Sequence, residues 1–120
     1  MIGILHAIVL ESASPEELAK FYQQILGGEV FVEDDGWVEL VSADGDPRLS
    51  FQLSPGHIPP VWPGDDGDQQ FHLDIHVDDL AVAHDALLAV GARPVDRPDG
   101  KITGFRVYLD PSGHPFCTVD

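Results

Sequence analysis

The sequence predicts an α+β fold of two tandem βαβββ modules forming a curved mixed sheet around a central cleft. Three observations carry this reading. Strand-type alternation and helical spacing follow one another in the same order twice within 120 residues. The segment LHAIVLESASPEELAKFYQQILGG lies on FHLDIHVDDLAVAHDALLAVGA, with His6 on His72, at an offset of roughly 65 residues that suits a duplicated supersecondary unit. Between the copies, residues 54–70 hold four prolines and three glycines, which excludes a regular element. One domain of residues 1–120 therefore divides into module one at 1–53, a linker at 54–70 and module two at 71–120.

Residues 2–10 are a short apolar run without helical caps and read as a strand, with Leu5, Ala7 and Val9 on one face and His6, Ile8 and Leu10 on the other. A helix starts at Ser14-Pro15-Glu16-Glu17, which supplies an N-cap serine, proline at the first helical position and a capping-box glutamate. Leu18, Phe21, Tyr22 and Ile25 then recur at helical spacing as a buried stripe. Gly27-Gly28 ends the helix, since glycine takes the left-handed conformation without a Cβ penalty. Residues 29–33, 37–42 and 48–53 read as strands, separated by the turn signals Asp34-Asp35-Gly36 and Ala43-Asp44-Gly45-Asp46-Pro47. In the last of these strands Leu49, Phe51 and Leu53 share one face and Arg48, Ser50 and Gln52 the other.

Module two repeats the order. A strand at 71–77 precedes a helix that Asp78 or Asp79 caps and Gly91 terminates, with Leu80, Ala83, Leu87 and Val90 near one face. Strands follow at 92–96, 104–109 and 115–119, around the turns Arg97-Pro98-Asp99-Gly100 and Asp110-Pro111-Ser112-Gly113.

The composition, 43% hydrophobic and 22% charged, is that of a soluble globular protein. Against 21 Asp and Glu stand 6 Lys and Arg, a net charge of −15. That balance argues against nucleic acid, whose affinity rests on cations neutralising phosphates, and against an anionic membrane surface. It suits a cationic ligand, though plain solubility accounts for it too. The lone Cys117 excludes an internal disulfide and a CxxC-type zinc site, in keeping with a reducing compartment. The N-terminal run has no basic flank and is too short to span a membrane, so a cytoplasmic protein is expected. In the linker, Asp65, Asp66 and Asp68 lack the ligand spacing of a calcium loop and read as solvated acids. Trp62 either pins the linker down or lines a pocket.

Function is expected at residues 71–79, FHLDIHVDD. As a strand this stretch sends Phe71, Leu73, Ile75 and Val77 to a face that can cover a helix. His72, Asp74 and His76 go to the other, about 6.5–7 Å apart from one to the next. A solvated sheet face explains such a row as well. The repeat favours a site, because it puts His6 on His72 and Gln52 on Cys117. All four then converge in a cleft lined by the faces that no helix covers, with Asp74 and His76 nearby.

The phrases PPVWPGDDGDQQFHLDIHVDDL, LLAVGARPV and FRVYLDPSGHPFCTV resemble the glyoxalase-like branch of the vicinal-oxygen-chelate superfamily, which includes glyoxalase I, extradiol dioxygenases and bleomycin-resistance proteins. The resemblance covers nearly the whole chain and implies paired βαβββ modules and a homodimer. It says less about activity, since this scaffold hosts many chemistries. In metal-dependent members the ligands come from the first and last strand of each module, which carries over to His6, Gln52, His72 and Cys117. The departure is Cys117, where the family's DPxGNxxEL phrase has glutamate.

Three readings of the site follow. The cleft is metal-free and binds a small organic molecule through His6, Gln52, His72, Asp74 and His76. Or it holds a softer divalent ion of the zinc type through His6, His72 and the Cys117 thiolate, with iron and manganese as the oxygen-chelating alternatives. Or Asp74 supplies the missing carboxylate, which from the same strand as His72 requires a bent approach. The first reading, with no cofactor, is the expectation. Any catalysis would be proton abstraction next to a carbonyl, or lyase or isomerase chemistry, with His72 or His76 as base and Asp74 orienting it. A drug-sequestering protein of the bleomycin-resistance kind is the alternative, in which Trp37, Trp62 and Tyr108 stack on a planar ligand.

Overall fold

The computed structural model describes every residue except Ile2, Asp65 and Gln69. The first residue of the expected opening strand and one acid of the linker trio therefore lie outside the described residues. The elements run β1 (Ala7–Ser12), α1 (Pro15–Leu26), β2 (Glu29–Val32), β3 (Val38–Ser42), β4 (Gly45–Leu53), β5 (Leu73–His76), α2 (Leu80–Ala89), β6 (Arg93–Val95), β7 (Phe105–Leu109) and β8 (Pro115–Val119). They fall into two compact units, 1–57 and 58–120. Each unit is a βαβββ module with its own four-stranded mixed sheet, ordered β1-β4-β3-β2 in the first and β5-β8-β7-β6 in the second. Residues 58–70 belong with the second unit.

In the first unit β1 runs parallel to β4, and the other pairs are antiparallel. Leu18, Phe21 and Tyr22 of α1 are buried, and Tyr22 stacks on Phe51 with ring centroids 6.1 Å apart. Register pairs Phe51 with Val38 and Leu49 with Leu40, so these four share the face under α1. Glu39, Arg48, Ser50 and Gln52 point the other way.

Two expectations for this unit need correction. The opening strand begins at Ala7, because its first ladder partner is Arg48 and the preceding Pro47 has no amide to donate. Ile4 and Leu5 are exposed. Nor does the capping box form. Ser14 makes no side-chain cap bond, and its amide instead donates to the hydroxyl of buried Ser12 at 2.9 Å. The helix does end at Gly27, in a positive-φ conformation of 73°.

In the second unit β5 runs parallel to β8, with Asp74 opposite Cys117 and Ile75 opposite Thr118. Asp79 caps α2, its carboxylate accepting from the Val82 amide at 2.9 Å. Tyr108 of β7 accepts or donates a 2.9 Å bond with His84 of α2 and stacks on Phe116, which identifies the face of the sheet toward α2. Ile75 is buried on that face, whereas His72 and Asp74 point away from it, as the alternation predicts. Phe71 departs from the expected apolar row. It precedes the strand and is fully in solvent.

The faces also revise the repeat. Leu10 is opposite Phe51, so Ile8 and Leu10, the row assigned to His6, lie on the helix-covered face of their sheet. His72 belongs to the uncovered face of its own. Matching the helix caps Ser14 and Asp79 instead sets His72 on Ala7. Gln52 and Cys117 do correspond, each following a phenylalanine that lies on the covered face.

Candidate functional site

The second unit contains a cavity of about 320 Å³ on the face away from α2, lined by Trp62, His72, Asp74, Phe105, Cys117 and their neighbours. Strand alternation builds its floor: Cys117 pairs with Val107 and with Asp74, and Phe105 pairs with Val119. His72 enters just ahead of β5, two residues from Asp74 and on the same side. Its Nε2 lies 3.2 Å from Asp74 Oδ1. Trp62 closes one wall, meeting the His72 ring edge to face with centroids 5.4 Å apart. The linker tryptophan thus lines a pocket.

Two residues that the sequence did not single out contribute to this place. Phe105 lines the cavity, and Arg97 holds it: the guanidinium stands 3.8 Å from the ring centroid and donates to the carbonyls of Thr103 and Phe105 at 2.8 and 3.0 Å. The alternation of Phe105 with Val107 and their pairing to the Cys117 strand was the available signal.

Cys117 is buried and reduced. Burial first, and then the nearby Asp74 charge, push its thiol up to about 11. At neutral pH it is therefore a neutral thiol, a poor nucleophile.

Other residues selected from sequence go elsewhere. Tyr108 does not line this cavity; it alternates with Val107, so it faces α2 and is fully buried there. His76 is exposed and stands 3.8 Å from Asp78, past the end of the cavity wall. His6, Trp37 and Gln52 belong to the first unit. There His6 Nδ1 lies 2.9 Å from Asp46 Oδ2, Arg48 bridges Asp46 and Glu39 at 2.8 Å each, and Trp37 Nε1 donates to Glu39 at 3.2 Å. The Arg48 bond is the main reason the Glu39 carboxyl sits below its ordinary value, and the His6 bond does the same for Asp46. Gln52 is exposed beside Glu11 in the ladder.

The donor atoms of His72, Asp74 and Cys117 all lie within 4.8 Å of one another. Donors around one tetrahedral zinc stand about 3.4–3.8 Å apart, so a modest closing would seat such an ion. Imidazole, carboxylate and thiol suit zinc better than manganese or magnesium, which favour oxygen. His72 lies just ahead of β5, and its ring reaches Asp74 across two residues.

Paired βαβββ modules with a polar cluster at the junction of first and last strands define a glyoxalase-like domain of the vicinal-oxygen-chelate class. The family pattern described as "Glyoxalase-like domain" matches residues 7–119, and the chain belongs to that family. Among solved structures it is similar to the fosfomycin resistance protein FosX from Listeria monocytogenes, with 15% identity, 99% of this chain and 93% of that one covered, and a TM-score of 0.71. Another FosX structure is complexed with Mn(II) and 1S,2S-dihydroxypropylphosphonic acid. A glyoxalase family protein from Enterococcus faecalis matches at 23% identity over 99% and 98% of the two chains, TM-score 0.66. TnmS3, an antibiotic binding protein from Streptomyces sp. CB03234, matches at 17% identity over 98% and 95%, TM-score 0.62. No curated protein matches the sequence. No helix among the described residues is long and apolar enough to cross a membrane.

Proposed function

We propose that the cavity of the second unit binds a small organic molecule, held between Trp62 and Phe105 and oriented by the His72–Asp74 pair. The observation that carries this reading is the combination of two aromatic walls with a single charged corner in a cavity of about 320 Å³, a size and character suited to a small ligand. The chain's acidity and the Asp74 carboxylate favour a ligand with a cationic or planar portion. The neutral Cys117 thiol stands where the family has a carboxylate, so the reading needs no metal. If the bound molecule is turned over, His72 is positioned as the base and Asp74 as its orienter, for proton abstraction next to a carbonyl or related lyase or isomerase chemistry. If it is only held, the protein sequesters its ligand, the kind of role that the description of TnmS3 as an antibiotic binding protein suggests.

The clustering of donors favours a second reading, in which His72, Asp74 and Cys117 hold a zinc-type ion. Such an ion would supply Lewis acidity to a ligand oxygen, and its binding would release the thiol proton.

A thermal-shift and tryptophan-fluorescence screen of metabolite and antibiotic libraries tests the first reading. Ligands that stabilise the protein and quench Trp62 should lose about tenfold or more in affinity in His72→Ala and in Trp62→Leu. Hits indifferent to both substitutions would sink it. Chromatography of incubated ligand separates turnover from sequestration. Elemental analysis of protein purified without affinity-tag metal tests the second reading: stoichiometric zinc that disappears in Cys117→Ser supports it, and metal-free protein with full ligand binding removes it. By the family resemblance we expect a cytoplasmic homodimer, which light scattering checks for assembly.

A further inference from the structure

We propose that the opposite face of the second sheet carries a separate site for a small organic anion bearing a phosphate or carboxylate group, with Lys101 and Arg106 as its charged ligands. A cavity of about 360 Å³ lies there, lined among others by His84, Asp96, Lys101, Arg106 and Tyr108. It is distinct from the cavity around His72. Along β7 the side chains alternate, so Phe105 faces the first cavity, while Arg106 and Tyr108 face the side of α2.

Charge is what marks this place. Residues 93–106 hold four of the chain's six Lys and Arg, and only two of its 21 acids. One of those acids lines the cavity, against three cations there, Arg97, Lys101 and Arg106. Asp99 is engaged, accepting from Arg97 at 2.6 Å and from the Lys101 amide at 3.0 Å; Asp96 is the acid on the lining. Arg97 is committed in turn to Asp99 and to the Thr103 and Phe105 carbonyls. On the lining Lys101 and Arg106 remain, and neither forms an ion pair with a carboxylate among the described residues. The Nε of Arg106 makes a 3.4 Å bond to the Ile102 carbonyl, and its side chain also bonds the Tyr108 hydroxyl.

In a chain this rich in carboxylates, two cations on one lining that pair with no carboxylate among the described residues are available to an anion from solution. The fully buried Tyr108 and its 2.9 Å partner His84 form the floor beneath them. The Tyr108 hydroxyl is shared by His84 and the Arg106 side chain, which fixes Arg106 at the cavity. The volume accommodates an organic body beyond the anionic group. This site does not depend on the function proposed for the other cavity.

The test is a titration of isotope-labelled full-length protein with sodium phosphate in one arm and sodium citrate in another, at constant ionic strength, followed by amide NMR shifts. Saturable shifts confined to residues 93–108 are expected from at least one probe, and the stronger arm distinguishes a phosphate from a polycarboxylate ligand. Lys101→Gln and Arg106→Gln should each weaken binding by about tenfold, and His72→Ala should leave it unchanged. Lys101 is exposed, so its variant keeps the test decisive should Arg106→Gln fail to fold. Non-saturating, dispersed shifts in both arms would overturn the proposal. So would binding that survives Lys101→Gln, or that His72→Ala abolishes.

Discussion

Cys117 shows how one side chain's surroundings set its chemistry. Thiolate character would make it a ligand or nucleophile, but burial and the Asp74 charge hold the proton on, up to about pH 11. The raised value also bears on stability. A thiol whose folded pKa lies above its unfolded one favours the folded state fully below the unfolded value, about 8.5. That contribution is lost as pH rises through the folded value. Wild-type protein should therefore lose on the order of 3 kcal/mol of unfolding free energy between about pH 8.5 and 11 that a Cys117→Ala variant does not lose, measured by denaturant titration. Alkylation by iodoacetamide should be slow at pH 7.5 and accelerate across that same interval. Fast alkylation at neutral pH would contradict the neutral-thiol account.

At the level of elements, a turn in the second unit and an ion-pair bridge in the first each hold local structure in place. The turn after β7 folds on Asp110, whose carboxylate accepts from the Ser112 and His114 amides at 2.9 and 3.0 Å. It closes at Gly113, with φ of 83°. A Cβ at Gly113 would run into the ring of Pro59, so glycine is what lets the linker lie against the turn and deliver Trp62 to the cavity. Gly113→Ala should cost about 2–4 kcal/mol by combining a left-handed backbone with overpacking. Thermal melting checks the cost, and a change in Trp62 fluorescence checks the loosened linker.

In the first unit, Arg48 ties Glu39 on β3 to Asp46 on β4. Glu39 has a lowered folded pKa, chiefly through Arg48. Its contribution is present above the ordinary glutamate value, about 4.3, and is lost as pH falls through the folded one. Arg48→Met should thus flatten the loss of stability on acidification below about pH 4.3. Acid titrations of wild type and variant that run parallel would show that the bridge carries no such coupling.

Across the whole molecule, charge is unevenly placed: an acidic chain gathers four of its six cations into one stretch of the second unit, with Arg97 bracing a wall of the His72 cavity and Arg106 turned to the other face. The elements themselves were legible, because alternation, helical spacing, caps and Gly-Pro punctuation are local properties. Residues 115–119 and the Asp79 cap fall where the pattern puts them. Strand starts were less legible, since Ala7 is set by its partner Arg48 across the sheet and by the missing amide of Pro47. The His72–Asp74 row was also readable, as a period-two pattern. Its partners were not: whether Trp62 pins or lines, whether Tyr108 points in or out, and whether Arg97 braces Phe105 depend on register between strands far apart in the chain. Sequence by itself determined the family, the doubled βαβββ order and the polar row of His72 and Asp74. Only the tertiary structure decided which donors meet and which face each occupies, because a one-residue shift in register carries every side chain to the other side of a sheet.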